Sequence, residues 1–126
     1  PAYTRVDAQI DIPVTSGPGF AGFSDLNDRF GVRWTGQIFI ENPGTYRFYV
    51  GSDDGSRLFI DGVQVVNNGG LHPFVEQSGT IELDAGYHDI RLEMFENFGA
   101  AGVRLSWDPP GAAVGKQVVP GSVLFR

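Results

Sequence analysis

The chain has no cysteine and only one methionine among its 126 residues. The absence of cysteine excludes disulfides, thiolate zinc sites and cysteine catalysis, but it leaves the compartment open, because secreted bacterial proteins often lack cysteine. The only histidines are His72 and His88, and no serine, histidine and acid follow one another in the order of a catalytic motif. We therefore expect a domain that is not an enzyme.

Positive charge is also scarce, with 9 Lys and Arg against 15 Asp and Glu, which gives a net charge of −6. Nucleic acids and anionic membranes are bound by clustered Lys and Arg, whereas the basic residues here are scattered. No apolar run approaches the ~20 residues of a membrane span. We expect no nucleic-acid partner, no membrane insertion and a monomeric state for the isolated domain.

The abundant residues are those of turns and strands, with 18 Gly, 8 Pro and 10 Phe. From residue 29 onward, apolar and polar residues alternate in several short runs that are separated by turn sequences, a pattern typical of half-buried strands. This pattern predicts an all-β fold of antiparallel strands without long helices, and it leaves a barrel and a sandwich open. The expected core consists of Trp34, Ile38, Phe48, Val50, Leu58, Ile60, Ile90, Leu92, Leu105 and Trp107.

Several segments carry more local expectations. Residues 1–18 alternate weakly and are compatible with an entry strand, and residues 118–125 are expected to close a sheet edge. Asp61-Gly62 predicts a two-residue hairpin turn. The stretch from Asn67 to Ser78 has no clean period, which predicts a long surface loop. His88 shares parity with apolar neighbours and is expected to be a core histidine with a hydrogen-bond partner.

The best candidate for chemistry is the adjacent pair Asp53 and Asp54 between two strand-like runs. In an extended chain successive side chains point to opposite faces, so only an unusual backbone, such as a cis peptide bond, would let both carboxylates grip one ion. Calcium would suit such a pair, because it accepts carboxylate, amide and carbonyl oxygens in flexible geometry. Asp-Asp-Gly is also an ordinary turn sequence. The spacing alone leaves both interpretations open and favours the ordinary turn.

An ordered series of motifs runs through residues 29–110. It consists of Val32-x-Trp34-x-Gly36, Pro43-Gly44-x-Tyr46-x-Phe48, Ser52-Asp53-Asp54-Gly55-Ser56-Arg57-Leu58, Ile60-Asp61-Gly62, Ala85-Gly86-x-His88, Glu96-Asn97 and Leu105-x-Trp107. This series resembles the PA-fourteen (PA14) domain, a module shared by anthrax protective antigen, yeast flocculins and epithelial adhesins, and many bacterial adhesins and glycosidases. The resemblance covers roughly two thirds of the chain.

The resemblance implies a β-sandwich and, in the lectin-like branch of the family, an Asp-Asp pair that binds Ca²⁺ through a cis bond. Asp53 and Asp54 occupy that motif. A second loop in that branch supplies an Asn side chain and backbone carbonyls, which would fall on Asn97, Gly99 and Ala101. The calcium ion in that branch offers open coordination positions to vicinal sugar hydroxyls.

The function expected from this resemblance is that of a calcium-dependent lectin module of a bacterial cell-surface adhesin. Residues 1–126 are expected to form one domain excised from a larger protein that acts outside the cell or on its surface. The expected partners are glycans with neutral sugars such as fucose, glucose, mannose or N-acetylglucosamine. The expected carbohydrate-binding residues are Asp53, Asp54, Asn97, His72 and Phe98. The alternative is a non-catalytic accessory or protein-interaction module of a larger glycoside hydrolase or toxin.

Overall fold

The computed structural model describes residues 11–15, 30–53, 55–70, 74–96, 101–111 and 115–125. Ten strands follow one another in these ranges. They are β1 (Asp11–Thr15), β2 (Phe30–Ile40), β3 (Gly44–Asp53), β4 (Gly55–Ile60), β5 (Val63–Asn68), β6 (Val75–Leu83), β7 (Gly86–Glu96), β8 (Ala101–Asp108), β9 (Gln117–Val118) and β10 (Leu124–Phe125). One 3₁₀ turn, Gly121–Val123, is the only helical element in the described ranges, so nothing there has the length and apolar character of a membrane-spanning helix.

The strands form two antiparallel sheets. The first sheet has the order β1-β8-β3-β6, with β9 added on β8, and the second has the order β10-β2-β7-β4-β5. The register between β2 and β7 is unbroken from Phe30 opposite Glu96 to Ile40 opposite Gly86. The predicted all-β sandwich is therefore confirmed.

The core lies between the two sheets and is filled from both. Every predicted core residue except Trp34 is buried, and Trp34 is partly buried and packs against the others. Phe48 is the largest fully buried side chain, and its ring contacts those of Tyr46 and Trp107 at centroid distances of 6.4 and 6.1 Å. The inward side chains thus follow the alternation of the sequence, which fixes which face of each strand is buried.

The predicted long loop from Asn67 to Ser78 is wrong in its extent. Residues 67 and 68 end β5, and β6 begins at Val75, so the connection is limited to residues 69–74. The first half of β6 is exposed on both faces because the strand lies at the edge of its sheet. It therefore lacks the alternation that marks a half-buried strand, although it pairs with β3 from Leu83 opposite Gly44 to Val75 opposite Ser52.

The predicted hairpin turn, entry strand and terminal edge strand are borne out in the described parts. His88 has the expected hydrogen-bond partner, Asp61, but it is not a core residue, because its side chain is 14% exposed and lies outside the buried cluster. Asp61 and Gly62 connect β4 and β5 with φ values of 52° and 78°, the left-handed conformation that a type I′ hairpin turn requires. The entry strand is present as β1. The terminal run divides into β9 on the first sheet and β10, which pairs with β2 at the edge of the second.

Candidate functional site

The chain passes from one sheet to the other within a single short turn. β3 ends at Asp53 in the first sheet, and β4 begins at Gly55 in the second. Asp53 lies opposite Gly102 at the start of β8, and Gly55 lies opposite Phe95 near the end of β7. The described ends of the β7–β8 connection therefore flank this turn on both sides. We call these four residues, Asp53, Gly55, Phe95 and Gly102, the crossover corner.

Aromatic rings pack directly on the backbone next to the corner. A Cβ at Gly55 would overlap the Phe95 ring and lie 2.8 Å from the carbonyl oxygen of Gly70. A Cβ at Gly51 would lie 2.7 Å from the Phe74 ring. A side chain at position 55 would therefore meet a ring and a backbone carbonyl, whereas one at position 51 would meet only the partly exposed Phe74 ring.

The corner also contains buried polar side chains that sequence reasoning missed. Asp53 is only 9% exposed, and Ser52, Ser56 and Asn68, at the same end of the sandwich, are 0%, 0% and 3% exposed. A signal for the latter three was present in the sequence. Each occupies the parity of core residues, in Phe48-x-Val50-x-Ser52, Ser56-x-Leu58-x-Ile60 and Val66-x-Asn68, so polar side chains replace apolar ones at the same end of three strands.

The structure brings two of the predicted calcium ligands, Asp53 and Ala101, to adjacent strand ends. The backbone of Ala101, the first residue of β8, lies one position beyond Gly102, the residue opposite Asp53. Of the other predicted site residues, none lies in the described ranges: these are Asp54, His72, Asn97, Phe98 and Gly99. Within the described ranges, no group of three or more His, Asp or Glu side chains is placed to hold a metal ion.

The donor chemistry at the corner fits a hard cation. A nearly buried carboxylate and a strand-end backbone carbonyl are oxygen ligands of the kind that calcium accepts, and the described corner offers no sulfur or imidazole nitrogen that would favour a transition metal. The predicted calcium site therefore stays a prediction.

Comparisons with known proteins give relatives that cover almost the whole chain. The anti-sigma-I factor RsgI3 of Acetivibrio thermocellus is 34% identical over 124 residues, which are 98% of this chain and 19% of that protein. A solved anti-sigma factor domain-containing protein is 33% identical with a TM-score of 0.86, and another from Clostridium clariflavum is 34% identical with a TM-score of 0.84. Each of these two matches covers 98% of this chain. They cover 42% and 41% of the two solved chains, so this chain spans less than half of their length.

These relatives correct the predicted function. The expectation of a calcium-dependent lectin module of a cell-surface adhesin, with glycans on a cell surface as partners, is wrong, because the relatives that match the chain at 33–34% identity are anti-sigma factors. The alternative of an accessory module in a glycoside hydrolase or toxin fails on the same finding. Sequence motifs of the fold did not separate these branches, because one fold serves proteins of many functions.

The family itself is established by a match over nearly the full length. The PA14 domain pattern matches residues 1–118, and the two antiparallel sheets described above are the β-sandwich that the motifs implied. The chain belongs to the PA14 domain family.

Proposed function

We propose that this PA14 domain is the non-catalytic, signal-receiving module of a larger anti-sigma-factor-type regulator, and that it works outside the cytoplasm. The observation that carries the proposal is the match of 98% of the chain, at 33–34% identity, to proteins with anti-sigma factor names. The chain corresponds to 19–42% of those proteins, so the sigma-factor-binding part is assigned to the remainder of the regulator.

The crossover corner is the part of the module proposed to receive the signal. The sheets supply a rigid frame with an unbroken β2–β7 register, and connections at the end of such a frame are where binding residues are usually carried. The short residue 69–74 connection reaches the same end, because the Gly70 carbonyl and the Phe74 ring pack on Gly55 and Gly51. A ligand bound at this end would contact several strand connections at once.

We further propose that a calcium ion is bound at the corner and ties its connections together. Asp53 and the carbonyl of Ala101 would hold the ion, with Asp54, Asn97 and Gly99 completing the oxygen ligands predicted from the sequence. Support comes from the β3–β8 register, which brings residues 53 and 101 to adjacent strand ends, and from the nearly buried carboxylate of Asp53. The ion would neutralise the carboxylates and stabilise the folded state by mass action.

The calcium part is tested by titrating CaCl₂ into the chelator-treated domain in a calorimeter and by measuring Tm with calcium and with chelator. We expect one binding event, a higher Tm in calcium, and at least a tenfold weaker affinity for Asp53→Asn. Asp108→Asn is the matched control, because Asp108 ends the same β8 strand at the opposite end of the sandwich. No heat and no change of Tm in the parent domain would refute the calcium site.

The regulatory part is tested by a chimera of the Acetivibrio thermocellus anti-sigma-I factor in which this domain replaces the matching segment. A sigma-I-dependent reporter is read while soluble polysaccharides and peptides are added in turn to the medium. We expect at least one addition to change the output of the chimera but not that of a control in which a flexible linker replaces the segment. Equal responses of chimera and linker control to every addition would overturn the proposed function.

A further inference from the structure

Three buried polar side chains join the two sheets directly beneath the crossover corner. The hydroxyls of Ser52 and Ser56 lie 2.7 Å apart, which closes a hydrogen bond between the end of β3 and the start of β4. Nδ2 of Asn68, at the end of β5, lies 3.1 Å from the carbonyl oxygen of Val50 and 3.3 Å from the hydroxyl oxygen of Ser52, both within hydrogen-bond distance. We call Ser52, Ser56 and Asn68 the polar triad.

The triad also reaches the edge of the first sheet. Asn68 Nδ2 donates to the carbonyl of Val75 at 2.8 Å, the first residue of β6. The Asn68 side chain therefore lies on the second sheet and makes its hydrogen bonds to the first, at the point where the 69–74 connection begins and where it returns. The triad fixes both the crossover and the ends of this connection.

Stability alone does not account for three polar side chains at core positions. A hydrogen bond between two buried hydroxyls makes a net contribution of about 1 kcal/mol, and replacing both partners with apolar groups of similar shape is often nearly neutral. Apolar side chains continue the same inward rows, at Val50, Leu58 and Val66, and there they hold the sheets together. What apolar packing does not supply is a directional contact that sets the separation of two strand ends.

We propose that Ser52, Ser56 and Asn68 are positioning residues for the cation site at the crossover corner. The Ser52–Ser56 bond joins the residues on either side of the three-residue segment 53–55, so it holds the ends of that segment at one separation. The carboxylate of Asp53 is thereby kept in place before an ion arrives, which lowers the entropy lost on binding. This inference rests on the calcium part of the proposed function.

The test is the double variant Ser52→Ala/Ser56→Ala, because it removes both partners of one bond and leaves Asn68 its two carbonyl acceptors. Substituting Asn68 would instead leave the carbonyls of Val50 and Val75 without this donor and destabilise the fold. We expect the double variant to bind calcium about tenfold more weakly, as loss of outer-shell support does in other metal sites. Its Tm in chelator is expected to stay within a few degrees of the parent value.

Ser106→Ala is the matched control, since Ser106 is a buried serine of β8 at 3% exposure that lies outside the triad. It should bind calcium as the parent does. An unchanged calcium affinity in the double variant overturns the inference. A loss of affinity accompanied by a large fall of Tm in chelator also counts against it, because that result indicates a general structural role.

A second measurement does not depend on calcium. Hydrogen exchange of the Gly55 and Gly102 amides in chelator should become at least tenfold faster in the double variant, while the Leu58 and Leu105 amides exchange as in the parent. Unchanged exchange at the corner refutes the positioning role even if the parent binds no calcium. The two proposals therefore fail separately: a parent domain without calcium binding refutes the cation site, and unchanged corner exchange refutes the triad.

Discussion

The imidazole of His88 lies between two hydrogen-bond acceptors, with Nδ1 2.5 Å from the carboxylate of Asp61 and Nε2 2.8 Å from the carbonyl of Asp84. Since an ionised carboxylate and a carbonyl can only accept, both ring nitrogens must donate, which requires the protonated imidazolium. Burial lowers the pKa of His88, but the hydrogen bond that His88 donates to Asp61 and the contact with the Asp84 carbonyl outweigh it and raise the pKa above its usual value. His88 thus secures the β4–β5 turn on β7.

We expect this contact to stabilise the protein more at acid than at alkaline pH. A His pKa raised by folding gives a contribution that is fully present below the unfolded value of about 6.5 and is lost as the pH rises through the folded value. Asp61→Asn should cost about 1 kcal/mol at pH 5.5, less than a fully buried charged hydrogen bond, because the Asp61 side chain is 46% exposed. The difference in Tm between the parent and Asp61→Asn should shrink as the pH rises from 5.5 to 9.

Asparagine is the right replacement because it isolates the charge. Asp61 has a φ of 52°, a conformation that asparagine also tolerates, and its Oδ1 accepts the Asp89 amide, a role that an asparagine oxygen can keep. A difference in Tm that is the same at every pH would contradict the assignment of a charged His88.

Gly79→Ala should destabilise the protein severely. A Cβ at Gly79 would overlap the carbonyl oxygen of Val65, so β6 and β5 approach each other backbone to backbone where the edges of the two sheets meet. A backbone carbonyl cannot rotate away as a side chain does, so the cost should reach or exceed the ~3 kcal/mol upper end for overpacked sites. Chemical denaturation measures it. Ser78→Ala, an exposed neighbour on the same strand, should change the free energy of unfolding by less than about 0.5 kcal/mol.

Removing the central ring of the core should produce a cavity. Phe48 is fully buried between the sheets, whereas Phe125 is 45% exposed at the edge strand β10. Phe48→Ala is expected to cost about 3–5 kcal/mol, and Phe125→Ala only about 1 kcal/mol, since nearly half of the surface of Phe125 already faces water and its removal leaves no enclosed cavity. Equal losses in denaturant titrations would show that the core is not centred on Phe48.

The fold was predictable because the inward residues of most strands alternate with polar ones. That pattern identified both faces of β2, β3, β4, β7 and β8. It failed at the beginning of β6, whose exposed residues Glu76 to Ser78 carry no pattern of burial, so pairing with β3 there is set by tertiary contacts. Alternation reports burial of one face and is silent where neither face is buried.

The candidate site was only partly predictable. The Asp-Asp-Gly sequence marked Asp53, and the sheet register then placed it beside the start of β8, a relation between distant segments that local spacing does not contain. The polar triad was visible as serines and an asparagine on core parity, but its meaning depended on knowing that the three strand ends converge. The match to proteins with anti-sigma factor names was beyond reach of the motifs, since motifs of the fold do not report the other domains of a protein.

Gly55→Ala tests how tightly the crossover corner is packed. The added methyl would overlap the Phe95 ring, which can turn, and would lie 2.8 Å from the Gly70 carbonyl, which is backbone. We expect a loss of about 1–3 kcal/mol in unfolding free energy. Gly31→Ala is a matched control, because Gly31 also lies opposite Phe95, on β2, yet a Cβ there meets only the Met94 carbonyl oxygen at 3.7 Å. It should be nearly neutral.

A double-mutant cycle separates the contributions of the Phe95 ring and the Gly70 carbonyl to the cost of Gly55→Ala. Phe95→Leu shortens the side chain that the new methyl would meet, so Gly55→Ala should cost less in that background than alone, by about 0.5–3 kcal/mol, as for residues in direct contact. The remaining cost is then assigned to the Gly70 carbonyl. Phe95→Leu also removes the ring that lies 5.5 Å from the Arg57 guanidinium. The free energy lost with that contact is measured in the Phe95→Leu single variant and is subtracted in the cycle. Strictly additive free energies would mean that the ring does not set the path of the chain through the corner.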